Sequence, residues 1–202
     1  MEKKIITISR EFGSGGRTIG RKVAEALGIP FYDKELVDQI ALESGFEPKF
    51  VEEHGEHAPS KSIFSYLFAP NDGSVHAHGM STADILWHVQ CNVILDLAEK
   101  GPCVIVGRNA DYILKDHPEA LHIYVFADKP YRAERIVRLY GESEKSPEQR
   151  LDEKDKRRRL NYQHYTGRTW GLAQNYDLCL DTGVLGEDFC VEAIIKAYKE
   201  CK

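Results

Sequence analysis

One segment near the amino end, ISREFGSGGRTIG (residues 8–20), restricts what this chain can fold into more than any other. Gly13, Ser14, Gly15 and Gly16 separate a β-branched run, KIITIS (4–9), from a helical run, TIGRKVAEALG (18–28). In that helical run Ile19, Val23, Ala26 and Leu27 fall on one side, and Gly28 stops it. A strand, a glycine turn and a helix in this order make a phosphate cradle. Residues without a Cβ let consecutive backbone N–H groups curl around an anion, and the helix N-terminus adds positive potential. The lysine of the ordinary GxxxxGK[ST] loop is missing. Two registers fit what is left. In one, Arg17 takes the lysine's place, Thr18 supplies a hydroxyl for Mg²⁺ and Glu11 falls at the first glycine. In the other, Gly16 holds the lysine position and Arg17 follows it. Arginine grips phosphate bidentately but is bulkier and planar, so it does not replace a compact ammonium like for like.

Downstream, short apolar runs alternate with stretches of helical period, the pattern of a parallel sheet covered by helices on both faces. The strands are expected at IPFYD (29–33), PCVIVG (102–107), ALHIYVFA (120–127) and YDLCLDT (176–182). Helices are expected at 34–45, 81–101, 130–141, 147–162 and 187–200. Residues 46–80 mix Pro, Gly, His and isolated aromatics without sustained period and read as a partly helical inserted cap. A chain of 202 residues with this pattern is expected to form one domain.

Composition removes several classes of function. With 27 basic against 32 acidic residues the net charge is −5, which argues against a general nucleic-acid binder and requires any basic site to be local. No apolar run approaches the roughly 20 residues of a membrane helix, and IITI begins within five residues of the start, leaving no room for a signal peptide. A soluble, cytoplasmic protein is expected. Cys91, Cys103, Cys179, Cys190 and Cys201 form an odd set with no CxxC pair, so reduced, buried thiols are expected. His54, His57, His76, His78 and His88 match no zinc spacing and are expected to be solvent-exposed.

Basic residues at strand exits narrow the search further. Arg108 directly follows the third strand, and in open parallel sheets ligands bind outside the carboxyl ends of strands. Asp33 and Asp128 end the second and fourth strands on the same edge. Arg132, Arg135 and Arg138 recur at three-residue spacing, hence along one helix face.

Taken together, ITISREFGSGGRTIGRKVAEALGIPFYD, GPCVIVGRNADYIL and DEKDKRRR followed by YDLCLDT resemble the cytidylate kinase-like family, a branch of the nucleoside monophosphate kinases, over nearly the whole chain. The resemblance implies a three-layer α/β fold of the P-loop kinase type: a five-stranded parallel sheet, a helical lid at about 130–165 and an insertion binding the nucleoside monophosphate at 46–80. It also implies ATP and Mg²⁺, with γ-phosphoryl transfer to CMP or dCMP. The family loop, GPSGSGKGT, runs into a helix ending AEALG. Counting back without gaps from AEALG puts Gly16 at the lysine, Arg17 at the next glycine and Thr18 at the threonine, which favours the second register.

By the same resemblance Gly13, Ser14, Gly15, Gly16, Arg17 and Thr18 hold ATP, while Thr18 and Asp128 serve Mg²⁺. Asp33 faces the acceptor nucleoside. Arg108 matches the arginine of a GRD motif that holds the acceptor phosphate, with Asn109 in place of its Asp. In the pattern DxxDxxR, met by Asp152, Asp155 and Arg158, the second Asp recognises the cytosine ring and the Arg contacts the monophosphate. Charge compensation during transfer falls to Arg17, Arg132, Arg135 and Arg158, whereas Lys156, Arg157 and Arg159 read as a solvated face. No arginine occurs from residue 22 to residue 107, where the family's insertion supplies one, so the acceptor stays open between a nucleoside monophosphate and another small molecule. A nucleotide-binding regulatory module that has lost catalysis along with the lysine is the third reading. Homo-oligomerisation is left open.

Overall fold

The computed structural model describes residues 4–55 and 81–200. Its centre is β1 (Ile5–Arg10), whose first five residues are buried. Even its polar positions, Thr7 and Ser9, are buried, as suits a strand covered on both faces. Around it lie β2 (Phe31–Tyr32), β3 (Cys103–Val106), β4 (Ala120–Phe126) and β5 (Leu178–Asp181), in the order β2-β3-β1-β4-β5. Every pairing is parallel, with Ile8 opposite Val106 on one side and Ile123 on the other. The five-stranded parallel sheet expected from the sequence is therefore present.

The helices are α1 (Gly16–Leu27), α2 (Lys34–Ser44), α3 (Pro48–His54), α4 (Thr82–Lys100), α5 (Ala110–Ile113), α6 (Lys129–Tyr140), α7 (Pro147–Thr166), α8 (Thr182–Leu185) and α9 (Glu187–Glu200). One face of the sheet buries Ile6, Ile8, Val104, Val106 and Ile123 against Ile19 and Val23 of α1 and Ile194 of α9. The opposite face buries Ile5 and Ile105 against Leu36 and Ile40 of α2, Val51 of α3, Ile94 of α4 and Leu114 just past α5. Each fully buried aliphatic contributes about 1.5–3 kcal/mol. The alternation of Ile5 with Ile6 along one strand thus divides the core into two layers. α6 and α7 pack on each other through Ile136 and Leu151, with Phe12 of the loop after β1 against them.

The structure departs from sequence expectation mainly at element ends. β2 keeps two residues of the five expected because it is an edge strand preceded by Pro30, which offers a carbonyl to Val104 but has no N–H to donate. α1 starts at Gly16, two residues early, and α7 runs four residues past 162 to Thr166. Within the expected cap, residues 48–54 form α3, whereas 56–80, with His57, His76 and His78, lie outside the described residues. Cys103 and Cys190 are buried and Cys91 and Cys179 partly so; all four are free, and burial pushes the Cys103 thiol up to about 12. Cys201 lies outside the described residues. Among the described residues no helix is long and apolar enough to cross a membrane.

Candidate active site at the carboxyl edge of the sheet

Residues 11–15 carry the chain from β1 into α1. Gly13 and Gly15 have φ of 84° and 91°, in the left-handed region where a side chain is strained. At Gly13 a Cβ would also lie 2.9 Å from Ile136 Cγ2 and 3.0 Å from the Arg132 carbonyl, so conformation and space both require glycine. The Ser14 hydroxyl faces inward, shared between the carbonyls of Glu11 (2.9 Å) and Val125 (3.0 Å). The first helical bond runs from Ile19 N–H to the Gly15 carbonyl. The amides of Gly16, Arg17 and Thr18 precede it, and a helix leaves such first-turn N–H groups without partners of its own. An anion is the natural complement of that end.

Distant elements hold the loop from beneath. Phe12 N–H donates to Asp155 Oδ1 (2.7 Å), and the Thr182 hydroxyl donates to the Ser14 carbonyl (2.7 Å). Arg132 donates from Nε to the Ala127 carbonyl (2.9 Å), and from Nη1 to the Phe12 carbonyl (3.2 Å) and Asp155 Oδ2 (2.6 Å). Glu11 Oε2 stands 3.4 Å from the same guanidinium, and burial raises its carboxyl pKa while Arg132 opposes the rise. Arg132 and Asp155 are thus buried loop anchors and do not line the cleft above the loop.

That cleft, about 340 Å³, is where most of the other sequence-predicted residues meet. Gly13, Gly15, Gly16, Arg17, Thr18, Asp33, Arg108, Arg135 and Arg158 all line it. Arg135 donates from Nη2 to Thr18 Oγ1 (2.9 Å) and from Nε and Nη2 to Glu187 Oε1 (3.0 and 2.7 Å), which holds it against Gly15. Arg158 reaches in from α7, donating to the Arg10 carbonyl (3.2 Å), with its Cζ 6.0 Å from the centre of the Phe12 ring. Its neighbours Lys156, Arg157 and Arg159 are exposed, as a solvated face requires.

Arg108 is 8% exposed and donates to the Val51 carbonyl of α3 (3.1 Å). It and Asn109 have φ of 56° and 55° directly after Gly107, a strained left-handed turn that sets the guanidinium at the exit of β3. Asn109 donates to Asn161 Oδ1 (2.8 Å), tying this turn to α7.

Two expected residues behave otherwise. Arg17 turns from the loop toward α2 and stands as an ion pair with Asp33, Nε to Oδ2 2.5 Å; the approach lacks hydrogen-bond geometry, so the contact is one of charge. Asp128 is exposed, caps α6 by accepting from Tyr131 N–H (2.9 Å) and does not line the cleft. Among the described residues no group of three or more His, Cys, Asp or Glu could hold a metal ion. A magnesium ion carried by phosphates needs little protein: it keeps most of its waters and takes one or two protein oxygens. Thr18 Oγ1, at the mouth of the loop, would meet that demand once released from Arg135 Nη2, which donates to it in this structure.

Sequence reasoning missed several cleft and loop partners, Thr182 on the Ser14 carbonyl among them. Arg10, Lys34 and Lys154 line the cleft, and Glu187 braces Arg135. Lys34 and Lys154 belong to ordinary charged helices, and Glu187 arrives from the far end of the chain, so no local motif marks them. Arg10 carried a signal: it is the last residue of the central strand. In all, seven basic side chains line the cleft against the carboxylates of Glu11, Asp33 and Glu52, in a chain whose net charge is −5.

Residues 5–184 match the model of the cytidylate kinase-like family. The chain belongs to that family. Among its relatives, cytidylate kinase of Pyrococcus furiosus is 27% identical over 96% of this chain and 86% of its own length. Cytidylate kinase of Archaeoglobus fulgidus is also 27% identical, over 95% and 93%. An uncharacterised protein from Eubacterium ventriosum, known as a crystal structure, superposes with a TM-score of 0.72 at 29% identity over 97% of this chain and 98% of that one. Shikimate kinase from Acinetobacter baumannii in complex with shikimate shares the fold, with a TM-score of 0.54 at 17% identity over 96% and 92%. Membership supports a nucleotide or small-molecule kinase, and with it a phosphotransferase.

Proposed function

We propose that this family member transfers the γ-phosphoryl group of ATP to a nucleoside monophosphate, CMP or dCMP. The observation that carries the reading is the cleft itself. First-turn amides of α1, Arg135 and Arg158 converge on one 340 Å³ space, which Arg108 and Asp33 also line. Phosphoryl transfer passes through a loose transition state that asks for in-line positioning and charge compensation more than for a strong base. The loop amides hold the triphosphate. Arg135, fixed by Glu187 on one side and Thr18 on the other, faces the phosphates beside Gly15. Arg108 and Arg158 hold the acceptor phosphate, and Asp33 faces the acceptor nucleoside. Magnesium, when bound with ATP, neutralises phosphate charge, and Thr18 is the side chain here that would hold it.

Arg132 and Asp155 act in this reading as positioning residues, since their polar atoms are spent on the loop backbone and on each other. The test is ADP release from Mg·ATP across the nucleoside monophosphates and a set of small hydroxyl compounds. Production with CMP or dCMP is expected. Production with a non-nucleotide alone would replace the acceptor, and nucleotide binding without turnover for any acceptor would make the chain a binding module.

A further inference from the structure

The phosphate loop lacks its lysine, and Arg17, the adjacent cation, is drawn to Asp33. A second arginine is built into the loop in a way that involves the missing position directly. A Cβ added at Gly16 would lie 2.7 Å from Arg10 Cβ and 3.1 Å from Arg10 Cγ. The aliphatic stem of Arg10 therefore crosses the space that any side chain at position 16 would enter. Its guanidinium continues to the exit of β3, where a Cβ on Gly107 would collide with it, Cζ being 2.7 Å away. Two glycines, one at the start of α1 and one at the exit of β3, make room for one arginine. The gap-free count that sets Gly16 at the family's lysine sets Arg10 at the first glycine of GPSGSGKGT. Relative to that loop, glycine and cation have changed places.

We propose that Arg10 is the cation that replaces the loop lysine, reaching the transferring phosphates from the end of β1 instead of from the start of α1. The inference rests on the kinase reading above. Arg10 lines the same cleft as Gly13, Gly16, Thr18 and Arg135. Its guanidinium lies toward Gly107 and hence toward Arg108, on the side where donor and acceptor phosphates would meet. A cation there acts on the terminal phosphate more than on the inner ones, so it favours ATP over ADP. A planar fork also grips two phosphate oxygens at once, which a single ammonium does not. Placing a lysine at position 16 should fail while Arg10 is present, because their stems would overlap, and succeed once position 10 is glycine.

The experiment measures Mg·ATP and Mg·ADP affinity by competition with a fluorescent ADP on the full chain, for wild type, R10A, R10M, R10G and R10G/G16K, with folding checked by circular dichroism. Wild type should prefer ATP; R10A and R10M should lose ATP affinity by about tenfold or more, with a smaller loss for ADP. R10G/G16K should regain ATP affinity over R10G. ATP affinity unchanged in a folded R10A or R10M, or no gain by the double variant over R10G, overturns the proposal. Absence of ATP binding in wild type overturns both this proposal and the kinase reading, whereas wild-type binding that the Arg10 variants retain overturns this proposal alone.

Discussion

Arg132 and Asp155 form a buried ion pair, Nη1 to Oδ2 2.6 Å; the same Nη1 donates to the Phe12 carbonyl, and Asp155 Oδ1 accepts from the Phe12 N–H. One pair of charges therefore holds both the N–H and the carbonyl of one residue in the glycine loop after β1. Removing one partner leaves the other charge buried, which costs about 3–5 kcal/mol in comparable pairs.

Asp155→Ala is expected near the low end, about 3 kcal/mol, because Glu11 still faces Arg132. The double variant R132M/D155L leaves one charge without its partner, Glu11, which keeps the Ala127 N–H and partial contact with solvent; it should be more stable than D155A yet bind Mg·ATP poorly, since Phe12 is no longer held. Urea unfolding and nucleotide competition check the two halves. A double variant with wild-type ATP affinity would remove the anchoring role.

Gly13→Ala should fail on two counts. Its φ of 84° strains an alanine by about 1–2 kcal/mol, and the methyl would meet Ile136 Cγ2 at 2.9 Å. Nucleotide affinity should fall at least as steeply as stability. Gly28→Ala is the control: φ is 66° there too, but nothing lies within 4 Å of the added methyl and the site is remote, so it should lose stability alone.

Asp111 of α5 is 4% exposed and accepts from the Tyr162 hydroxyl (2.8 Å). Burial pushes its carboxyl up to about 6 from an ordinary 3.8. A folded-state value above the unfolded one means that the native state binds the proton more tightly. The contribution is then favourable below the unfolded value and is lost as pH rises through about 6, roughly 3 kcal/mol in all and about 1.4 kcal/mol between pH 5 and pH 8. Asp111→Asn keeps an oxygen for Tyr162 and carries no titration. Its stability relative to wild type should rise by about that 1.4 kcal/mol between pH 5 and pH 8 in urea unfolding. Parallel pH curves for the two proteins would contradict the burial argument.

Arg108→Met separates the two sides of the cleft. The long apolar side chain preserves bulk beside Val51 while removing the charge. Mg·ATP affinity should stay within about twofold, and the acceptor KM should rise by about thirtyfold, as expected for a charge-assisted hydrogen bond of about 2 kcal/mol. Equal losses for both substrates would place Arg108 on the donor side.

Much of this architecture was legible in the sequence because it rests on local chemistry. The glycine turn, the β-branched run before it and Gly28 after the helix mark β1 and α1 to within two residues. The direction of side chains was not legible, because partners from distant elements decide it. Arg132 and Arg135 share one face of α6 at three-residue spacing, yet one turns down to Phe12 and Asp155 while the other turns to Thr18 and Glu187. Arg17 sits where a phosphate contact is expected and is drawn instead to Asp33, sixteen residues on. Arg10 reads locally as a strand end; only the superposition of its stem on Gly16 shows what the glycine leaves room for.

The central claim is that this cleft moves a phosphoryl group between two bound molecules. The most direct measurement incubates the full chain with Mg²⁺, CMP and ATP labelled in the γ-phosphate and follows the label. It should appear in CDP, in amounts that depend on both CMP and enzyme. Label that stays in ATP, or appears only as free phosphate whichever nucleoside monophosphate is supplied, would contradict the account.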